Sequence, residues 1–301
     1  MPPSTRSGDD LHGLLLGGLG VAVFSLTLPM TRLAVVDLDP VWIGLARALL
    51  AAIPAALWLA WVRAPWPPRA MWPRFARVGA GVIVGFPVFS SMAMGSVDAS
   101  HGAVVLGVLP LATAIAGAWL AGERPSLAYW AFAALGAMLV CGFALREGGG
   151  RLQPADGLLV LAVVAAAIGY AEGARLAQRF GGPQTICWTL VLAAPLLVPV
   201  VIWLSLRHGV SARPSAWVGF LYVAFFSQFL GFFAWYRGLA IGGIARVSQV
   251  QLLQTFMTLG FAALIGGESP PATTWIFAAA VVGVVAVQRA TSISRPPARV
   301  G

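Results

Sequence analysis

Ten times along the chain, an apolar run of roughly twenty residues starts and stops at a cluster of Arg, Asp, Pro or Gly. The runs cover 12–33, 41–62, 76–97, 102–121, 127–145, 157–178, 185–205, 216–236, 247–266 and 273–289. A helix of about 20 residues crosses about 30 Å of hydrocarbon. Backbone polar groups in hydrocarbon must be satisfied within their own segment, so runs of this length read as helices. The expected fold is an all-α integral membrane protein with ten transmembrane helices. Composition agrees, since 59% of the residues are hydrophobic and 10% charged, against about 25% charged in a soluble domain. A water-soluble globular protein is excluded. Ten spans use roughly 200 residues, which leaves loops and tails but no second, soluble domain.

The net charge of +9 comes from nineteen basic residues, all Arg. They stand in ones and twos between apolar runs, with one cluster at Arg63, Arg69, Arg74 and Arg77. A nucleic-acid surface would gather them on a stripe; this spacing is that of topology charges, so no nucleic-acid partner is expected. With the N-terminus inside, Arg32, Arg146, Arg151, Arg207 and Arg213 face outward, Arg47 falls within the second run, and the other thirteen face inward. That asymmetry predicts a multi-pass protein of the inner membrane with both termini cytoplasmic. Residues 1–10 hold one Arg and two Asp, and no small-residue cleavage pattern follows the run from Leu11 to Pro29, so the first run reads as a span and not a signal peptide. Cys141 and Cys187 lie in apolar runs without metal-ligand spacing and read as small core residues. The stretch 63–75 is the longest connection in the first half; 146–156 has the Gly-rich, charged composition of a linker; residues 290–301 read as a disordered tail.

An internal repeat sets the architecture. Shifted by 145 residues, Gly122-Glu123-Arg124-Pro125 falls on Gly267-Glu268-Ser269-Pro270, and Trp130 on Trp275. At shifts one or two residues smaller, Gly13-Leu14-Leu15 matches Gly157-Leu158-Leu159 and Arg32-Leu33-Ala34 matches Arg175-Leu176-Ala177. Each copy, 12–145 and 157–289, holds five spans. Five is odd, so the second copy enters the membrane upside down. Inverted repeats of this kind build secondary transporters, with the substrate site near the midplane between copies.

Over residues 12–289 the chain resembles the drug/metabolite transporter superfamily with two EamA-type repeats. The resemblance rests on Ala103-Val-Val-Leu-Gly-Val-Leu-Pro-Leu-Ala-Thr113 leading to Gly122-Glu123-Arg124-Pro125, and on Arg237-Gly-Leu-Ala-Ile-Gly-Gly-Ile-Ala-Arg246 leading to Gly267-Glu268-Ser269-Pro270. Two positions depart from the family pattern. Phe24-Ser25 stands where the family usually has Trp-Gly, and Thr255 stands in the second copy where the first has Pro110. The resemblance implies a ten-helix bundle that exports small metabolites, and it leaves the substrate open.

Polar residues inside spans are costly and mark candidate sites. Ser248, Gln251, Thr255 and Thr258 share one helical face, with Gln254 beside it. Amides and hydroxyls can meet a solute's polar groups without charge, or can glue helices together. Ser227 and Gln228 lie deep in the eighth run, whereas Trp235 and Tyr236 read as interfacial belt residues. Ser90 and Ser91 of the third run, and Tyr170 of the sixth, are further cavity candidates. Arg47 either anchors an anionic substrate group or snorkels outward. Glu172 is the acid placed deepest in a span; it reads as an ion-pair partner of Arg175 three residues on, or as a proton carrier. Glu123 and Glu268, each followed by Pro at the second position on, read as helix-end markers. Pro29, Pro54, Pro87, Pro110, Pro195 and Pro199 fall within spans, where each bends or weakens its helix.

No Walker loop, nucleophile elbow, zinc-ligand cluster or paired-carboxylate arrangement occurs, so no cofactor or metal is expected. The expected function is a secondary-active permease that exports a small amphipathic metabolite, an amino acid or related compound, or a drug, by alternating access in the lipid bilayer. Energy would come from an ion gradient, with protons as the candidate ion, or from the substrate's own gradient. The alternatives are an intramembrane enzyme, which would need clustered His, Asp or Glu, and a non-transporting subunit, against which the repeat speaks.

Overall fold

The structure is a computed structural model that describes residues 4–121, 124–147, 149–242, 247–288 and 293–294. Among the described residues, eight helices are long and apolar enough to cross a membrane: α1 (Leu11–Ala34), α2 (Pro40–Trp61), α3 (Arg69–Met94), α4 (Ala99–Leu120), α5 (Trp130–Glu147), α6 (Pro154–Phe180), α7 (Gly182–His208) and α8 (Pro214–Gly242). Two shorter apolar helices follow, α9 (Leu252–Gly266) and α10 (Ala272–Val284). The ninth expected run is shorter as an α-helix because Ser248–Gln251 forms a tight 3-10 turn ahead of Leu252.

Local chemistry explains the helix starts. The Asp39 carboxylate accepts a 2.8 Å bond from the Trp42 amide, and Pro40 fills the first turn of α2, where no amide partner exists anyway. Gln153 and Asp156 form a reciprocal capping box at α6, again with Pro in the first turn. The expected connection 63–75 is shorter than its composition suggests. Arg69–Met71 already turns, and Pro73 sits in the first turn of the helix from Trp72. Between α6 and α7 the chain reverses at Gly181 alone, with φ of 86°, a conformation costly for any residue carrying a Cβ.

Long-range bonds sort the connections to two ends. At one end Asp37 meets Arg213, Arg32 meets Asp98, the Ala99 amide meets Glu268, and His101 meets Asp156. These tie together the loops before α2, α4, α6, α8 and α10. Side-chain hydrogen bonds from Arg213 hold the Asp37 carboxyl below its ordinary range. At the other end Arg77 meets Glu172, Arg175 meets the Leu120 carbonyl, and Trp66 packs on Trp188. Consecutive helices therefore alternate in direction.

Packing follows a paired pattern. α1 lies along the second half of α8 as α6 lies along α3; α2 faces α7, α4 faces α9, and α5 faces α10. Small residues let the backbones approach. A Cβ on Gly238 would stand 2.8 Å from the Gly17 nitrogen, and one on Gly81 would stand 2.5 Å from the Ala165 carbonyl oxygen. α3 and α8 each carry a π-helical stretch, Gly79–Gly85 and Tyr222–Leu230. A shift of 145 lays the first stretch within the second. Leu15, Leu57, Trp61, Leu196, Leu206 and Leu264 are exposed on the outside. Apolar exposure on that scale suits contact with lipid and not water. Cys187 is buried, but Cys141 is exposed on the α5 surface, contrary to the core position expected for both. Of the tail, only Ile293–Ser294 is described, paired antiparallel with Arg124–Pro125; the rest of 290–301 lies outside the described residues.

Candidate functional site

Five helices bring polar side chains to one closed cavity: Thr27 from α1, Arg47 from α2, Tyr170 from α6, Ser227 and Gln228 from α8, and Gln254 from α9. Phe24, Phe86 and Phe232 form its apolar walls. Its volume is about 10 Å³, room for a single water. Thr27 Oγ1 and Ser227 Oγ lie 2.8 Å apart, joining α1 to α8. Gln228 Nε2 donates to the Val82 carbonyl at 3.0 Å, so the π stretches of α8 and α3 meet through this bond. A π stretch re-aims the side chains it carries and is often found at functional sites.

Arg47 is 1% exposed, and among the described residues its Nε and Nη1 have no hydrogen-bond partner. It does not snorkel; the guanidinium points into the protein. Snorkelling needs an unobstructed route to the interface, and this side chain stays on the inner face of α2 among buried neighbours.

A second cavity of about 10 Å³ shares Gln254 and is lined also by Gln251, Thr255, Thr258 and Pro110. The stripe of α9 thus faces inward, and among the described residues neither amide atom of Gln251 has a partner. The Ser248 side chain lies outside the described residues. Ser91 is buried with an unpartnered hydroxyl but does not line either cavity; Ser90 donates back to the Phe86 carbonyl at 2.6 Å.

Trp235 and Tyr236 are fully buried, which corrects the expectation of a belt position. The reason is glycine on the facing helices. Gly20 of α1 admits Trp235, and a Cβ on Gly173 of α6 would collide with the Tyr236 hydroxyl. Tyr236 Oη donates to the Gly169 carbonyl at 3.2 Å, and the Trp235 ring lies 5.6 Å from that of Tyr170.

The bundle ends carry charge. Glu172 is completely buried with Arg77 at 3.2 Å, Arg175 at 3.5 Å and Arg74 at 3.6 Å, so α3 and α6 are joined by an ion cluster at the Arg-rich end. The expected Arg175 partner is present, and two more come from α3, out of sequence reach. At the opposite end a polar pocket of about 240 Å³ is lined by His101, Glu147, Gln153, Glu268 and Thr274 among others. There His101 Nε2 lies 2.7 Å from Asp156 Oδ1, a buried pair between residues 55 apart that no sequence signal announced. Glu268 accepts from the Ala99 and Ser100 amides at 2.8 and 2.9 Å and caps α4, in keeping with a helix-end role; Glu123 lies outside the described residues.

Among the described residues, no three His, Cys, Asp or Glu side chains gather to hold a metal. Two larger clefts, about 740 and 800 Å³, are apolar surface grooves beside α7 and beside α5. Their linings suit acyl chains better than a polar solute.

The model of the EamA-like transporter family matches the chain twice, at residues 11–144 and 153–288. The uncharacterized transporter YdeK of Bacillus subtilis (strain 168) is 40% identical over 274 residues, covering 91% of this chain and 94% of that protein. A solved crystal structure 20% identical in sequence superimposes with a TM-score of 0.60, covering 94% of this chain and 96% of the other, a likeness of fold. With nearly its whole length matched in two copies, the chain is a multi-pass membrane protein and belongs to the EamA-like transporter family.

Proposed function

We propose that the chain is a secondary-active transporter that exports a small amphipathic metabolite, such as an amino acid or related compound, or a drug, by alternating access. Ten helices arranged as two inverted repeats, 12–145 and 157–289, would form it, with both termini on the cytoplasmic side of the inner membrane. Support for the repeats comes from the double family match, the paired helix packing and the π stretches at corresponding places in α3 and α8. Support for the orientation comes from the Arg-rich end, where Arg74, Arg77, Arg175 and Arg179 collect.

One observation carries the transport reading. Arg47, Tyr170, Gln228 and Gln254 converge from both halves on an interior cavity, and among the described residues polar atoms of Arg47 there, and of Gln251 in the second cavity that shares Gln254, have no protein partner. Residues that only glued helices would be paired, because an unsatisfied group in hydrocarbon costs several kcal/mol, about 2–7 for an amide or hydroxyl. Substrate groups would supply the missing partners. The cavity is closed here; opening toward one end would separate the Glu172 cluster, and opening toward the other would widen the pocket at His101. Glu172 we read as a latch of the cytoplasmic end, with proton carriage as the alternative role. Both the family and YdeK are transporters, and an intramembrane enzyme is not proposed.

The test places single cysteines at 228 and 251 in a background lacking Cys141 and Cys187, in proteoliposomes. A small water-soluble thiol reagent should label both, and a transported compound, found by screening labelled amino acids, monocarboxylates and cationic drugs, should protect them. If neither position reacts under any loading condition, the central cavity is a packing defect and the transport path lies elsewhere.

A further inference from the structure

We infer that the central cavity is built for a monoanion, a carboxylate with a neutral apolar or aromatic body, and that Arg47 is its charge partner. The inference rests on the transport reading and narrows it. Three observations carry it.

The first is the state of Arg47. Among the described residues, two of its three guanidinium nitrogens have no hydrogen-bond partner and no ion pair includes it, and the side chain is 1% exposed. A charge buried without a partner destabilises the fold, because the solvation it has lost is not replaced. Folding alone gains nothing from such a residue, whereas a bound anion removes the penalty and forms charge-assisted hydrogen bonds.

The second is the sign of the wall. Among the described residues the cavity lining holds no Asp or Glu, and its other polar groups, on Thr27, Tyr170, Ser227, Gln228 and Gln254, are neutral. An organic cation would meet Arg47 with a like charge. A zwitterion would leave its ammonium facing only hydroxyl and amide oxygens. A dianion would keep one charge uncompensated. One negative charge balances the site.

The third is the apolar remainder. The Phe24, Phe86 and Phe232 rings line the same cavity as the guanidinium, and the Tyr170 ring lies 6.0 Å from that of Phe232. Once the cavity opens beyond its present room for a single water, a flat apolar group attached to the carboxylate would pack on these rings while the carboxylate reaches Arg47.

Phenylacetate, phenylacetamide and 2-phenylethylamine share one body and differ in charge, and they are the probes. Equilibrium binding of each labelled compound to the purified full-length protein in detergent is read beside its counterflow in proteoliposomes. Phenylacetate should bind saturably and at least tenfold more tightly than the other two. Arg47→Gln should weaken it at least tenfold, and Arg47→Lys, which keeps the charge, should recover part of the loss; both variants are first checked for a monodisperse elution profile. Equal binding of acid and amide, or undiminished binding to the Gln variant, overturns the inference. Saturable binding and counterflow of the amine or amide without the acid overturns it too, while leaving the transport reading standing. Acid binding lost in the Gln variant but never accompanied by counterflow supports the anion site and counts against transport. Absence of saturable binding by phenylacetate and by longer aliphatic monocarboxylates overturns the proposal.

Discussion

Arg47→Met separates a residue kept for binding from one kept for folding. Met approximates the length of the side chain and removes the charge. Burial of an unpaired guanidinium, 1% exposed with Nε and Nη1 unsatisfied, is a cost carried by the folded protein. Replacing buried ionic groups by apolar side chains of similar volume is commonly neutral or stabilising by about 1–4 kcal/mol. The middle of that range is taken for this unpaired charge. The cavity beside it is only about 10 Å³, so the slightly smaller Met leaves little new void. At roughly 2–4 °C per kcal/mol for a large domain, a gain of about 2–3 kcal/mol raises Tm by roughly 4–12 °C. The assay is thermal unfolding of the full-length protein in detergent, followed by tryptophan fluorescence, with and without phenylacetate. The wild type should melt lower than the variant when unliganded and rise as phenylacetate is added, and the variant should not respond. A variant that melts several degrees below the wild type would refute the reasoning, because it would mean that the guanidinium is held by stabilising partners and is structural.

The other predictions concern the bundle ends and a helix crossing. Glu172→Gln removes the charge that gathers Arg74, Arg77 and Arg175; these partners are a third to a half exposed, so the loss is discounted to about 1–2 kcal/mol. Melting a few degrees lower, with pH-gradient-driven transport and substrate counterflow changing together, fits a latch; loss of gradient-driven transport with counterflow intact would show instead a proton carrier. Gly238→Val pushes a side chain into the α1 backbone, where even a Cβ would stand 2.8 Å from the Gly17 nitrogen. It should cost upwards of about 1–3 kcal/mol and broaden the elution profile; a wild-type melting point would mean that α1 and α8 do not cross closely.

Much of the site was legible because the cost of a polar group in hydrocarbon is local to the residue. Arg47, Tyr170, Ser227, Gln228 and Gln254 stand out within apolar runs, and all five line the central cavity. Ser91 stood out by the same argument and lines neither cavity, since the cost says that a hydroxyl must avoid lipid and not which space it faces. Trp235 and Tyr236 were misplaced because aromatic rings near a run's end suit either a belt or a core. The choice depends on the glycines of α1 and α6 that face them. The partners of Glu172 on α3 and the His101–Asp156 pair carry no sequence signature, being 95 and 55 residues apart.

The sequence by itself determined the membrane class, the positions of the apolar helices, the repeat and the stock of polar residues inside the spans. Those follow from length, hydropathy and spacing, each a property of one segment alone. Tertiary structure decided which polar groups meet and which are left without a partner. Close glycine crossings bring α1 to α8 and α3 to α6, and the π stretches turn Gln228 toward the Val82 carbonyl. Whether a buried guanidinium is paired or vacant depends on what every neighbouring helix presents to it, and no single segment contains that information.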